Sequence, residues 1–153
     1  MTRPAARYGL LALFLAVSLG GGMLVGISNP PGEWYAALAK PSFNPPDWLF
    51  PPAWTLLYIL IGIAGWRVFL AKLRLPFGLW VLQLAINFAW SPTFFGQHMI
   101  GFGLVILLAM LATILAFLAV TWRLDRPAAL CFVPYALWVS FAGLLNGAIW
   151  WLN

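Results

Sequence analysis

The chain has 153 residues, of which 64% are hydrophobic and 7% are charged, and its mean hydropathy is +0.96. An average soluble domain is about one quarter charged, so this composition excludes a water-soluble globular domain and indicates a protein embedded in a lipid bilayer. The net charge of +5 does not indicate a nucleic-acid partner, because the basic residues stand at the ends of apolar runs, where they act as topology signals.

Long apolar runs predict the fold class, an all-α membrane protein that forms a bundle of five transmembrane helices in one domain. Each run exceeds the roughly 18–20 residues that cross about 30 Å of hydrocarbon. The predicted helices are, in chain order, residues 6–28, 52–71, 76–96, 99–121 and 127–151. Pro76 suits the first turn of the third helix, and Asp125 is the predicted N-cap of the fifth.

The first loop, residues 29–51, is the only sizeable connection between the predicted helices. Proline fixes φ, and seven of the chain's twelve prolines lie between positions 29 and 52. The aromatic residues of the loop are Trp34, Tyr35, Phe43, Trp48 and Phe50. Disordered linkers are poor in aromatic residues, so we expect a folded lid over the mouth of the bundle, with a short helix over 33–39. The alternative is an interfacial aromatic belt, which needs no ligand.

The basic residues are distributed unevenly between the two sides of the predicted bundle. Seven of the eight lie on the side of the N-terminus: Arg3, Arg7, Arg67, Lys72, Arg74, Arg123 and Arg126. The other side carries Lys40 together with Glu33, Asp47 and His98. The positive-inside rule therefore predicts a cytoplasmic N-terminus and a C-terminus on the outside.

Residues that usually carry ion coupling or catalysis are absent from the middle of the predicted spans. No Asp, Glu, Lys or Arg lies there, which argues against an ion-coupled transporter or pump. The chain has one histidine, His98, and one cysteine, Cys131, too few for a metal-ligand cluster. We expect His98 to be a solvated loop residue rather than a haem ligand, and Cys131 to fill the core.

Three predicted helix faces combine neutral polar groups with large aromatic or small residues. They carry Gln83, Asn87 and Ser91 on the third helix, Trp54 and Tyr58 on the second, and Trp138, Ala142 and Leu145 on the fifth. A stripe of amides in hydrocarbon must face protein or a cavity, so the third helix either joins its neighbours or lines a ligand site. Flat aromatic walls and few polar groups favour a planar, mostly apolar ligand, oriented by Asn87 or Tyr58.

Three ordered blocks of sequence carry a family resemblance. The first, residues 34–58, includes Lys40-Pro41-Ser42-Phe43-Asn44-Pro45-Pro46-Asp47-Trp48; the second, residues 83–96, begins Gln83-Leu84-Ala85-Ile86-Asn87; the third, residues 134–146, includes Pro134-Tyr135, Trp138 and Leu145-Asn146. These blocks and their spacing resemble the TspO/translocator protein family, also called tryptophan-rich sensory proteins or peripheral-type benzodiazepine receptors. The match covers nearly the whole chain.

The resemblance implies a five-helix bundle, commonly a homodimer, whose cavity beneath the first loop binds porphyrins, haem-related tetrapyrroles and synthetic benzodiazepine-site ligands. It places Trp54 and Trp138 in the cavity wall, Asn87 and Ala142 beside it, and lid positions in the first loop. With the helix faces, the expected ligand-binding residues are Trp34, Phe43, Trp48, Trp54, Tyr58, Gln83, Asn87, Trp138, Ala142 and Leu145. No metal and no obligatory cofactor are expected, although a porphyrin or haem-type ligand is.

The sequence departs from the family pattern at two places. The animal cholesterol motif needs a tyrosine and then a basic residue after the fifth-helix Leu-Asn pair, and residues 147–153 contain neither, so we do not expect sterol binding through that motif. A glycine pair that supports dimers in some members reads Gly78 and Leu82 here. The dimer face is therefore open, and the GxxxG patterns at 22–26 and 143–147 are further close-packing surfaces.

Three functions are compatible with these features. The first is a tetrapyrrole-binding sensor, regulator or carrier, in which Lys40 contacts the porphyrin propionates. The second is light- and oxygen-dependent porphyrin breakdown with Trp54 and Trp138 as reductants or radical sites, since no acid–base or nucleophilic set supports other catalysis. The third is a tetrapyrrole transporter, which the single short bundle disfavours. The family pattern indicates a bacterial protein. Helical spans and the positive-inside bias favour the cytoplasmic membrane, and the outer membrane, where family members have also been placed, is the alternative.

Overall fold

The structure is a computed structural model that describes residues 4–153, and every regular element in that range is helical. Helix α1 occupies residues 4–28 as Pro4–Leu15, a π-helical turn Ala16–Gly20, and Gly21–Ser28. The short α2 is Gly32–Ala37. Helix α3 is Phe50–Leu70, preceded by a 3-10 turn, Asp47–Leu49. Helix α4 is Arg74–Ser91 and continues into a π turn, Pro92–Gly96. Helices α5 and α6 are Ile100–Thr121 and Arg126–Leu152.

Four of the helical segments are long and apolar enough to cross a bilayer: Ala5–Ser28, Asp47–Leu70, Ile100–Thr121 and Arg126–Leu152. The prediction of an all-helical, multi-pass membrane protein is therefore confirmed. Helix α4 is less apolar, because its 18 residues include Arg74, Gln83 and Asn87. Its five-residue π turn adds length beyond Ser91.

The predicted helix ends differ from the observed ones by a few residues, for local reasons. Helix α3 begins at Phe50 rather than 52, because Pro51 and Pro52 occupy its first turn, where a missing N–H breaks no helical hydrogen bond. Asp125 caps α6 as predicted, since its Oδ1 accepts from the backbone N–H of Ala128 at 3.0 Å. The π turn of α4 begins at Pro92, which has no N–H to donate.

The five long helices pack in a ring in the order α1, α3, α6, α5 and α4, and α4 returns to α1. Glycines on α3 allow close approach within this ring. A Cβ at Gly62 would lie 3.2 Å from the Phe14 carbonyl oxygen of α1, and a Cβ at Gly65 would overlap the Trp80 indole of α4. The part of α3 around Gly62 and Gly65 is therefore used for packing against α1 and α4. Trp54 and Tyr58 lie on the part of α3 that is nearer the first loop.

The first loop covers one end of the bundle. Helix α2 confirms the short helix expected there, and it buries Tyr35. The Asn153 side chain ties the loop to α6: its Oδ1 accepts from the Ala39 N–H at 2.9 Å and its Nδ2 donates to the Ala39 carbonyl at 3.0 Å. His98 is exposed, as expected of a solvated loop residue, and its ring also stacks on Trp34 with 4.1 Å between centroids.

The opposite end of the bundle carries most of the positive charge. In the described part of the chain these residues are Arg7, Arg67, Lys72, Arg74, Arg123 and Arg126. Arg3, on which the topology prediction also relied, lies outside the described residues. The two ends of the bundle therefore differ strongly in charge.

Candidate ligand-binding cavity

A cavity of about 510 Å³ lies between the long helices, at the end that the first loop covers. Small-molecule sites are commonly roughly 300–1,000 Å³, so the size suits a cofactor-sized ligand. Every long helix contributes to the lining: α1 through Gly22, α3 through Trp54 and Tyr58, α4 through Asn87, α5 through Met110, and α6 through Trp138 and Ala142. The cavity thus depends on the whole ring of helices.

Aromatic rings form one wall of the cavity. Trp54 stacks on Tyr58, with 5.5 Å between ring centroids and 30° between planes. The same Trp54 meets Trp138 edge to face at 6.4 Å, and Trp138 meets Phe50 at 5.9 Å. These rings present flat apolar surfaces at an angle to one another, which suits contact with a planar ligand.

A series of hydrogen bonds begins in the cavity lining, at Tyr58 and Asn87, and continues behind it to Tyr135 and Gln83. Tyr58 Oη donates to Asn87 Oδ1 at 2.7 Å, and Asn87 Nδ2 donates to Tyr135 Oη at 2.7 Å. Tyr135 Oη then donates to Gln83 Oε1 at 2.9 Å, and Gln83 Nε2 donates to the Trp80 carbonyl at 3.0 Å. Gln83 and Tyr135 are completely buried, so the series satisfies polar groups that would be destabilising in an apolar interior.

The direction of every hydrogen bond in this series follows from its last member, the Trp80 carbonyl. A carbonyl can only accept, so the amide nitrogen of Gln83 must face Trp80 and its oxygen must face Tyr135. The Tyr135 proton is then committed to Gln83, and by the same reasoning the Tyr58 proton is committed to Asn87. Toward the cavity, Tyr58 therefore offers oxygen lone pairs and no proton.

Other polar groups of the lining also direct their donors to protein atoms. Thr55 Oγ1 donates to Pro51 O at 2.8 Å, Asn29 Nδ2 to Val25 O at 3.0 Å, and Asn146 Nδ2 to Ile100 O at 2.9 Å. Trp138 Nε1 is different, because it is buried and has no hydrogen-bond partner within residues 4–153. Because this nitrogen is buried, a ligand acceptor in the cavity could reach it only after the indole had turned.

Six of the ten expected ligand-binding residues line this cavity: Trp54, Tyr58, Asn87, Trp138, Ala142 and Leu145. They come from three different helices, and the structure brings them together at the lid end. The expectation that the three helix faces share one site therefore agrees with their positions.

The remaining four expected residues lie away from the lining. Gln83 is separated from the cavity by Tyr135, and its hydrogen bond to that residue joins α4 to α6. Trp34 packs on His98 and on Phe94, at 5.8 Å from the latter ring. Phe43 and Trp48 are exposed, and the Phe43 ring meets Phe141 of α6 edge to face with 6.4 Å between centroids.

Lys40, the expected propionate contact, is engaged elsewhere. Its Nζ donates to the carbonyl oxygens of Tyr35 at 2.6 Å and of Ala36 and Leu38 at 3.2 Å each. It also lies 4.6 Å from the centroid of the Tyr35 ring. The ammonium group therefore closes the C-terminal end of α2, where unpaired carbonyls attract a cation.

Sequence reasoning missed the contributions of α1 and α5 to the lining and the hydrogen bonds of Tyr135 behind it. Tyr135 precedes Trp138, Ala142 and Leu145 by three, seven and ten residues, a helical spacing that would have placed it on their face. Met110 and Leu107 of α5 had no such signal, because that helix is apolar on every side.

Some of the α1 residues that line the cavity are themselves exposed. Met23 and Ile27 line the cavity and are 55% and 74% exposed. A Cβ built on Gly26, which also lines it, would meet no atom within 4 Å. The second half of α1 therefore forms a thin wall between the cavity and the surroundings of the bundle.

The sequence model of the TspO/MBR family matches residues 12–152 of the chain. The chain belongs to the TspO/MBR family. It is 42% identical over 153 residues to the tryptophan-rich protein TspO of Chlorobaculum tepidum, covering 94% of this chain and 95% of that protein. It is also 42% identical over 147 residues to protein CrtK of Rhodobacter capsulatus, covering 92% and 89% respectively.

The family extends to animal relatives at similar distance. Translocator protein of Bos taurus is 38% identical over 157 residues, covering 96% of this chain and 88% of that protein. Membership in the TspO/MBR family confirms the resemblance drawn from the three sequence blocks.

Proposed function

We propose that the chain is a membrane-embedded binding protein for planar, largely apolar ligands of the tetrapyrrole class, acting as a sensor, regulator or carrier. The observation that carries the proposal is the 510 Å³ cavity, with Trp54 and Trp138 on one wall and the Tyr58–Asn87 pair at its base. Relatives in the family bear the names tryptophan-rich sensory protein and translocator protein, which support a binding or signalling role.

The proposal includes a bundle of five membrane-crossing helices with a cytoplasmic N-terminus. Helix α4 would be the fifth span, because its 18 residues and π turn are long enough at about 1.5 Å per residue and its amides are paired within the ring. Its amides would then never meet lipid. The homodimer that the family resemblance implies also belongs to this proposal.

The ligand would lie with its plane against the Trp54 and Trp138 rings and its edge toward the base of the cavity. No lysine or arginine lines the cavity within residues 4–153, and Asp47 supplies a carboxylate there. Porphyrin propionates would therefore point outward past the lid. Lys40 could reach them only by leaving three carbonyl oxygens, so Lys40→Ala should weaken porphyrin binding less than Trp54→Phe does.

The test is titration of the purified protein with protoporphyrin, followed by quenching of tryptophan fluorescence. Trp54→Phe, Trp138→Phe and Asn87→Ala should each raise the Kd by about threefold to tenfold, since each removes one stacking or polar contact. Trp151→Phe is the matched control, because Trp151 is exposed and outside the cavity. Equal affinity in all four variants would place the ligand elsewhere.

A second candidate is light-dependent breakdown of the bound porphyrin, with oxygen as the oxidant. It is favoured by the edge-to-face contact of Trp54 and Trp138 at 6.4 Å, which places two oxidisable indoles on the wall that would touch the ligand. Bleaching of bound porphyrin under illumination should slow in Trp54→Phe or Trp138→Phe at saturating ligand. Bleaching at the unaltered rate in both variants would contradict this role of the two tryptophans and leave ligand binding as the proposed function.

A further inference from the structure

A second cavity, of about 260 Å³, lies at the basic end of the bundle, opposite the lid. It is open to the surroundings and is bordered by α1, the last turns of α3 and the turn before α6; its lining residues are Arg7, Trp66, Arg67, Leu70, Ala71 and Asp125. Two guanidinium groups and one carboxylate give the lining a net positive charge. None of these residues belongs to the ligand-binding cavity.

Arg67 is held by one edge of its guanidinium group. Its Nε lies 2.9 Å from Asp125 Oδ1, and that same oxygen accepts from the Ala128 N–H at 3.0 Å. A guanidinium has five N–H donors, four of them on the two terminal nitrogens. Those four have no protein acceptor within residues 4–153. The ion pair therefore fixes the orientation of the Arg67 guanidinium group and leaves the N–H groups of its two terminal nitrogens available to a ligand.

Arg7 is brought to the same cavity by a contact between α1 and α3. Trp66 Nε1 donates to the Arg7 carbonyl oxygen at 3.0 Å, which holds the first part of α1 against the end of α3. Trp66 therefore holds the backbone of Arg7, and the next residue of α3, Arg67, borders the same cavity as Arg7. Two cationic groups on different helices are kept together in the presence of a single neutralising carboxylate.

We propose that this cavity binds a phosphate group, supplied by the headgroup of an anionic phospholipid. Guanidinium forks match phosphate oxygens in pairs, and basic pockets between membrane helices suit anionic headgroups. The cavity lies where the helices end, and Trp66 and Leu70 give it an apolar side for the glycerol and acyl part of a lipid. Lys72, Arg74, Arg123 and Arg126 add positive potential around it.

A phosphate bound there would join α1 to α3 and to the start of α6. It would accept hydrogen bonds from the N–H groups of Arg67 that have no protein acceptor. Its negative charge would also reduce the repulsion between Arg67 and Arg7. The lipid would therefore stabilise the basic end of the bundle, at a distance from the ligand-binding cavity and independently of what that cavity binds.

The test uses the full chain, stripped of lipid in detergent, with phosphatidylglycerol, phosphatidylcholine and inorganic phosphate as separate probes. Retained lipid is counted by native mass spectrometry, and the melting temperature is followed by tryptophan fluorescence. Phosphatidylglycerol should be retained about tenfold or more in preference to phosphatidylcholine and should raise the melting temperature. The double variant R7Q/R67Q should lose both effects.

The matched control is R123Q/R126Q, which removes the same charge from the same end but leaves the cavity lining intact. It should keep the preference, and equal losses in both double variants would overturn the proposal in favour of a diffuse basic surface. Arg67→Gln leaves the Asp125 carboxylate without its ion-pair partner, which could by itself destabilise the fold. R7Q alone and R67Q/D125N are therefore measured as well, to separate misfolding from loss of binding. Stabilisation by millimolar phosphate without lipid preference would overturn the lipid source, and absence of any preference would overturn the site.

Discussion

Tyr135 joins three helices through one hydroxyl group. It accepts from Asn87 at 2.7 Å, donates to Gln83 at 2.9 Å and lies 3.2 Å from the sulfur of Met110. The ring is completely buried and meets Trp54 at 6.5 Å between centroids. A single atom thereby links the packing of α4, α5 and α6 to the base of the cavity.

Tyr135→Phe should therefore destabilise the folded protein. The change leaves the Asn87 amide nitrogen and the Gln83 oxygen without this partner, which corresponds to about 1–3 kcal/mol of unfolding free energy. Thermal unfolding in detergent measures it. Tyr8→Phe, on an exposed ring of α1, is the control and should leave the unfolding midpoint unchanged; an equal midpoint for both variants would contradict the structural role of the buried hydroxyl.

Gln83 should influence ligand choice without touching the ligand. The unaltered protein should prefer a benzodiazepine-type lactam that bears an N–H over its N-methyl analogue, because Tyr58 offers only lone pairs to the cavity. Gln83→Met removes the group that sets the direction of the hydrogen-bonded chain, so Tyr58 can turn its proton outward. The N–H preference, about threefold to tenfold for one hydrogen bond, should then shrink. An unchanged ratio of the two Kd values in Gln83→Met would disprove this coupling.

At the scale of helices, α1 is attached along one part and free along another. The Ser18 hydroxyl, in the π turn, donates to the Tyr58 carbonyl of α3. A Cβ at Gly22 would overlap the Tyr58 ring, whereas one at Gly26 would meet nothing within 4 Å. The contact between α1 and α3 therefore stops between these two glycines, both of which line the cavity.

The two glycines of one GxxxG pattern should respond oppositely to substitution. Gly22→Ala should push α1 away from the Tyr58 ring and lower the stability by about 1–3 kcal/mol, as overpacking does. Gly26→Ala should be neutral or slightly stabilising, because alanine is the better helix former. Unfolding in detergent compares them directly, and similar losses in both variants would show that the pattern packs as a unit.

The sequence predicted the helices and six of the residues that line the cavity, for reasons that differ from helix to helix. Helices α3, α4 and α6 carry aromatic or amide groups at helical spacing, so their functional faces were visible. Helix α5 is apolar on all sides, and only tertiary packing decides that Met110 lines the cavity. The contacts of Lys40 could not be predicted, because sequence shows its charge but not the three carbonyls that α2 brings within its reach.

At the scale of the whole molecule, the two ends of the bundle differ in charge and in the cavity that each one contains. The lid end holds the large cavity and the basic end holds the small one. The polar α4 contacts both α5 and α3, which together cover the amides that lower its hydropathy. The bundle therefore keeps its charges at the ends and its neutral hydrogen bonds inside.

This arrangement predicts the topology of the protein in its membrane. In a Cys131→Ser background, a membrane-impermeant maleimide applied to intact cells should label Ser42→Cys in the lid and spare Leu124→Cys at the basic end. Both positions are exposed, so reactivity reports sidedness rather than burial. Labelling of the second position alone would reverse the orientation expected from the basic residues.

The thin α1 wall has a consequence for how affinity must be expressed. Met23 and Ile27 separate the cavity from the acyl chains, so an apolar ligand exchanges with the hydrocarbon phase rather than with water. Its relevant concentration is its mole fraction in lipid. At fixed total ligand, adding empty vesicles dilutes that fraction and should lower occupancy of the cavity, even though the protein itself is unchanged.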